Sequence, residues 1–121
     1  MELDKDCVRD VLLTIEEEIG VNRSTSISDL RHFNRLKNYD ISQITYCVKK
    51  LHEADFISEM DYIRELPPTE LTFKGHEFLD TIRDSDVWDK TKQASSAVST
   101  VSLAILADLA SSFIKQKLNL S

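Results

Sequence analysis

Three observations predict an α+β fold, mainly α. Apolar residues recur at spacings of three and four through most of the 121 residues, as they do on the inner faces of amphipathic helices. One stretch, Phe56 to Phe73, loses that period, is rich in β-formers and is broken at Leu66-Pro67-Pro68-Thr69, the pattern of a two-stranded hairpin. The composition is 41% hydrophobic and 30% charged, which suits one ordinary core and excludes a disordered chain. With only two Gly and two Pro, a Gly-rich phosphate cradle is excluded too.

The first helix is expected over residues 3–19, where Leu3, Cys7, Val8, Val11, Leu12, Ile15 and Ile19 share one face. Asp4 and Asp6 suit its positive end, and Gly20 is a left-handed stop. Asn22 to Ser26 reads as a loop. Ser26 or Ser28 caps a short second helix through Leu36, with Ile27, Leu30, Phe33 and Leu36 inward. Lys37 to Asp40 forms a turn. Asp40 then caps a third helix that runs to about Ala54. Ile41, Ile44, Val48 and Leu51 make its core stripe, with Cys47 beside it. Asp55 stands where Gly commonly ends a helix, and Asp tolerates the left-handed conformation better than most residues.

The segments 56–64 and 70–73 read as the two strands of the hairpin. A fourth helix opens at Lys74-Gly75 with Phe78, Leu79 and Ile82 inward. After a charged break at Arg83 to Asp86 come Val87 and Trp88, then a tail, Asp89 to Leu120, that lacks Gly and Pro and reads as one long helix. Between Gln93 and Ile114 its only charge is Asp108. Val98, Val101, Ile105, Leu109 and Phe113 form one stripe of it, while Leu103, Leu106, Ala110 and Ile114 occupy another. A helix apolar on two faces needs a second surface to cover it.

The order helix, short helix, helix, hairpin, helix is that of a winged helix-turn-helix with a two-stranded wing, expected over residues 1–85, followed by a C-terminal oligomerisation helix over 86–121. Leu51-His52-Glu53-Ala54-Asp55-Phe56-Ile57 has the rhythm of a recognition helix entering a wing, and Leu71-Thr72-x-x-Gly75 that of a wing entering the next helix. In this arrangement Ser42, Gln43, Thr45, Tyr46, Lys49 and Lys50 lie on the outer face or flanks of the third helix. Gln43 suits an adenine edge, and the lysines suit phosphates or guanine.

Charge supports that reading in part. Fifteen Lys and Arg against 21 Asp and Glu leave −6. Yet residues 21–52 hold six basic groups (Arg23, Arg31, Arg35, Lys37, Lys49, Lys50) against Asp29 and Asp40, so +4 sits there and −10 elsewhere. A local basic patch is the footprint of docking to a phosphate backbone. Arg31 and Arg35 join the candidate DNA-binding set on this ground. The wing speaks against it, since Glu59, Asp61, Glu65 and Glu70 oppose only Arg64. The expected function is therefore a dimeric DNA-binding regulator, with a non-enzymatic protein–protein interaction module as the alternative.

Catalysis, cofactors and metals are not expected. His32, His52 and His76 fall on three different helices, with no HExxH among them. His76 beside Glu77 reads as a capping or packing pair. Ser95-Ser96 and Ser111-Ser112 lack a nucleophile-elbow context. Cys7 and Cys47, 40 residues apart, form no CxxC or zinc pattern and read as reduced thiols, structural or half-buried. With no signal-peptide pattern in Met1 to Asp10, the protein is expected in the cytoplasm.

The tail is not expected to enter a membrane, because Asp108 and seven Ser or Thr residues dilute it below what a span requires. A homodimer through the paired tails is expected instead, with Trp88 at its base and Val98, Val101, Ile105, Leu109 and Phe113 as the seam. It would present two recognition helices to a pseudo-palindromic DNA site.

Cys7-Val8-Arg9-Asp10, Leu71-Thr72-Phe73-Lys74-Gly75-His76-Glu77-Phe78-Leu79-Asp80, Ile82-Arg83-Asp84 and Val87-Trp88 form one further pattern over roughly residues 1–93. It resembles a family of short bacterial and phage or prophage proteins of unknown function. The resemblance implies a winged-helix-like fold and a mobile-element context, and it carries no catalytic residues. Read physically, Phe78, Leu79, Ile82 and Trp88 are packing contacts, and Arg9 and Asp10 are expected to pair with Asp84 and Arg83.

Overall fold

A computed structural model describes residues 2–19, 27–58, 71–98 and 100–119. The described residues contain six helices and no strand. These are α1 (Lys5–Glu18), α2 (Ile27–Leu30), α3 (Ile41–Glu53), α4 (Phe73–Ile82), α5 (Ser85–Ser95) and α6 (Leu103–Leu118). The chain forms two compact units, Met1–His76 and Glu77–Ser121.

In the first unit, α1 starts where Asp4 accepts the Cys7 N–H at 3.0 Å, which satisfies one of the open donors of the first turn. Cys7, Val8, Val11, Leu12 and Ile15 are buried along it, and α1 packs on α3. Gly20 lies outside the described residues.

The second helix is shorter than its apolar pattern implies. After Leu30 the chain continues through His32 N–H to Asp29 C=O, Phe33 to Leu30, Leu36 to Phe33 and Tyr39 to Leu36, all between 2.9 and 3.1 Å. These are bonds across three residues, the tight 3₁₀ pattern. The apolar spacing Leu30, Phe33, Leu36, Tyr39 is three throughout, which matches a three-residue turn better than 3.6. Leu30 and Leu36 are fully buried as a result.

Asp40 is the N-cap of α3, and Gln43 Oε1 accepts the Asp40 N–H at 3.0 Å, one half of a capping box. Ile44, Cys47, Val48 and Leu51 are buried; Ile41 is exposed. Asp55 sits at φ 65°, the one non-Gly residue with positive φ among those described. Phe56 N–H reaches Leu51 C=O and Asp55 N–H reaches His52 C=O, each at 3.0 Å. That pair of bonds is a Schellman stop, and Leu51 and Phe56 are both buried beside it.

The α+β class and its two-stranded wing are overturned. Among their described residues, the two segments expected to pair share one isolated antiparallel bridge, Ile57 to Leu71. The second expected strand is consumed by the start of α4, because Thr72 acts as its cap. Its Oγ1 accepts the Gly75 N–H at 3.0 Å and donates to Asp55 C=O at 2.6 Å, while its N–H donates to Phe56 C=O at 3.1 Å. Gly75 is required by close approach, since a Cβ there would overlap the Phe56 carbonyl. The wing's acidic residues Glu59, Asp61, Glu65 and Glu70, with Arg64 and the Pro67-Pro68 break, lie outside the described residues.

In the second unit, Phe78, Leu79 and Ile82 of α4 are buried. The expected single tail helix is instead two. Asp84 caps α5 by accepting Val87 N–H at 3.0 Å, and Val87, Trp88, Thr91 and Ser95 are buried along it. Ser95 and Ser96 then turn their hydroxyls onto the carbonyls of Lys92 and Gln93. Such back-bonding competes with helix continuation. Ser102 opens α6 by accepting Ile105 N–H at 3.2 Å. α5 and α6 pack together, with Leu103, Leu106 and Ala110 buried. Lys117 Nζ meets Asp84 Oδ2 at 2.6 Å, so the two helices run antiparallel.

Candidate functional site

The chemistry expected on α3 is split by the structure into groups that are occupied and groups that are open. Gln43 is occupied: besides its bond to Asp40, its Nε2 donates to Asp4 Oδ2 at 3.5 Å. One end of its amide therefore closes the cap of α3 and the other ties the start of α3 to the start of α1. Thr45 donates to Ile41 C=O at 2.7 Å. Lys50 bonds Glu53 at 3.0 Å and lies 5.5 Å over the Tyr46 ring. Glu53 is also the main reason its ammonium is held above the usual lysine range.

Arg35 is occupied as well. Its Nε and NH2 meet the two Glu17 oxygens at 2.6 and 3.4 Å, and this bond raises its affinity for the proton further. It thus ties the turn after α2 to the last turn of α1. What remains open is a smaller set. Arg31, Lys37, Ser42 and Lys49 are exposed, and among the described residues neither Arg31, Lys37 nor Lys49 has a carboxylate partner.

Three of these four converge. Arg31, Lys37 and Ser42 line an open groove of about 690 Å³ together with His32, Tyr39 and Asp40. The groove lies where the 3₁₀ turns meet the first turn of α3. Its wall is fixed by Tyr39, whose hydroxyl donates to Asp10 Oδ2 at 2.8 Å; burial first, and then this bond, hold the phenol above its usual range. Asp40 adds one negative charge at the rim. The sequence pointed to Arg31 and Ser42 but left out Lys37 and His32, although Lys37 was already visible in the charge count.

Three of the polar residues expected to link the first and fourth helices, Asp10, Arg83 and Asp84, each have a partner within their own unit. Asp10 accepts from Tyr39, Arg83 meets Asp80 at 3.2 Å, and Asp84 serves Val87 and Lys117. His76 Nδ1 lies 3.9 Å from Glu16 of α1, so its acidic neighbour is Glu16. Among the described residues no three His, Cys, Asp or Glu side chains gather as metal ligands.

The tail residues divide by face. Trp88 is buried, with Lys92 Nζ 5.8 Å over its ring, rather than exposed at the base of a seam. Val98 and Ile105 are 58% and 51% exposed, while Val101, Leu109 and Phe113 are half-buried. Phe73, expected in a strand, is instead the first residue of α4 and is 81% exposed. No periodicity in the sequence signalled that exposure. Among the described residues no helix is long and apolar enough to cross a membrane.

Fold and site define the class: a small protein, helical over its described residues, with a cationic groove at the start of α3 and no cluster suited to metal chemistry among those residues. Residues 2–102 match the family described as "Hypothetical protein (DUF2513)", and the chain belongs to that family. It is also similar to an "Uncharacterized protein" of Haemophilus influenzae (strain ATCC 51907 / DSM 11121 / KW20 / Rd), with 29% identity over 123 residues, covering 98% of this chain and 99% of that protein. No solved structure matches it.

Proposed function

We propose that the protein is a cytoplasmic DNA-binding regulator of a bacterial cell or its prophage, acting as a dimer. The observation that carries the reading is the groove, where Arg31 and Lys37 flank the exposed first turn of α3 at Ser42. Lys49 extends the positive surface along the same helix, whose other side lies in the core. Unpaired guanidinium and ammonium groups beside a helix N-terminus favour phosphate oxygens. With Gln43 engaged by Asp4 and Asp40 and Thr45 by Ile41 C=O, base reading falls mainly to Ser42, so backbone contacts carry most of the affinity.

The dimer rests on α6. Its Leu103, Leu106 and Ala110 are buried, which leaves Ile105, Leu109 and Phe113 as an apolar stripe of α6 for a second copy, with Val98 and Val101 in the segment before that helix. A two-fold pair presents two α3 helices, as a pseudo-palindromic site needs.

The test is a shift assay on random duplex with the full chain and with the Arg31→Glu/Lys37→Glu/Lys49→Glu variant. The reading expects binding by the parent chain and its loss in the variant, with helix content unchanged. Equal binding by both proteins, or none by the parent, rejects it. The 81% exposure of Phe73 favours a second reading, a protein-interaction module that does not bind DNA; Phe73→Ala would then abolish partner capture, and the parent chain would show no shift on duplex.

A further inference from the structure

The cysteines are 40 positions apart in the chain, yet they lie on two helices that pack together, α1 and α3. Cys7 is on the first turn of α1 and Cys47 on the second turn of α3. Both are buried, at 0% and 1% exposure, and both are free thiols. The Asp4–Gln43 bond fixes the register one turn earlier on each helix. The neighbours Val8 and Val48 are fully buried beside them. We infer that Cys7 and Cys47 are an oxidisable latch, a thiol pair that a peroxide-class oxidant converts to an intramolecular disulfide joining α1 to α3.

Chemistry and geometry agree on this pair. Burial first, and then the neighbouring Cys7 thiol, push the Cys47 thiol well above the usual thiol range. A disulfide needs the two sulfurs to close to about 2.05 Å, a movement confined to the contact between α1 and α3. In the packed state both sulfurs are shielded from solvent. Oxidation therefore proceeds through partial separation of α1 from α3, at a rate set by that opening.

In the opened state one thiolate attacks the peroxide oxygen, the O–O bond breaks, and a sulfenic acid forms. The second thiol then displaces its hydroxyl group as water. In sum two S–H bonds and one O–O bond are lost and one S–S bond forms; with hydrogen peroxide two waters leave. The cross-link closes the chain from residue 7 to residue 47 and restrains the unfolded state, so the linked protein is the more stable one. The latch acts within the first unit and does not depend on the proposed DNA contact.

The test exposes the full chain to hydrogen peroxide under native conditions, followed by mass analysis and thermal melting. The expected results are a loss of two hydrogen masses, a Cys7–Cys47 linked peptide, and a Tm raised by roughly 10 °C or more. A thiol reductant reverses all three, and neither Cys7→Ala nor Cys47→Ala gains Tm under the oxidant. The inference is overturned if the native thiols stay reduced over many opening lifetimes. It is equally overturned if they end as sulfinic acids or intermolecular bonds, or if the linked form melts no higher than the reduced one.

Discussion

Asp55, Thr72 and Gly75 show how single residues decide this fold. Asp55 holds φ 65° at a position where a Cβ costs energy and Gly does not. Replacing Asp55 with Gly is expected to stabilise the protein by about 1 kcal/mol, read as a higher midpoint in urea; an unchanged or lower midpoint contradicts the strain. Gly75 is the opposite case, since its missing Cβ leaves room for the Phe56 carbonyl. Gly75→Ala is expected to destabilise by about 3 kcal/mol, near the upper end for overpacking because backbone rather than a side chain must move. The motif Leu71-Thr72-x-x-Gly75 was legible in the sequence as a junction, but its meaning was not. It marks a capped helix start packed against the turn after α3, and the same residues would look alike at the end of a wing strand.

At the scale of elements, the amphipathic stripes of α1 and α3 could be read directly, because their apolar spacing leaves one inward face. Two features could not. The spacing of exactly three along Leu30, Phe33 and Leu36 was read as a helix and proved to be 3₁₀ turns. The tail was read as one helix because it lacks Gly and Pro, whereas its serine hydroxyls close α5 and open α6.

The α5–α6 hairpin also has a pH signature. Lys117 first, then the Val87 N–H, hold the Asp84 carboxyl below the usual carboxylate range, and Lys117 is raised chiefly by Asp84. The Asp84 share of stability is complete above the pH where an unfolded aspartate titrates, and is lost as pH falls through its lower folded value. The Lys117 share is complete below the ordinary lysine range and lost as pH rises through its raised value. Both groups are exposed, so the effect is small. Lys117→Met should flatten the acid limb of a Tm–pH curve; an identical limb in parent and variant argues against the pair.

For the whole molecule, the stripe left on α6 and the groove on α3 belong to different units, so association and DNA contact are separable. Ile105→Glu places a charge on the apolar stripe. It is expected to give a monomer by size-exclusion with light scattering at tens of micromolar, and to leave the melting of the first unit unchanged. A parent chain that is itself monomeric there rejects the dimer.

Charge at this scale was legible only in outline. The count of +4 over residues 21–52 was correct, but pairing of Arg35 with Glu17 and of Lys50 with Glu53 leaves three described cations, Arg31, Lys37 and Lys49, to meet phosphate. No linear count shows which charges are spent on the protein itself, because Arg35 and Glu17 are 18 positions apart.

Those three cations give the most direct test of the central claim. Affinity for random duplex, measured across a salt series, should fall with a log–log slope of about −2.7 for one protomer bound and about −5.4 for a two-fold dimer. The Arg31→Glu/Lys37→Glu/Lys49→Glu variant should show no binding to titrate. Affinity that is flat in salt, or a slope unaltered in the variant, contradicts phosphate docking at the α3 groove.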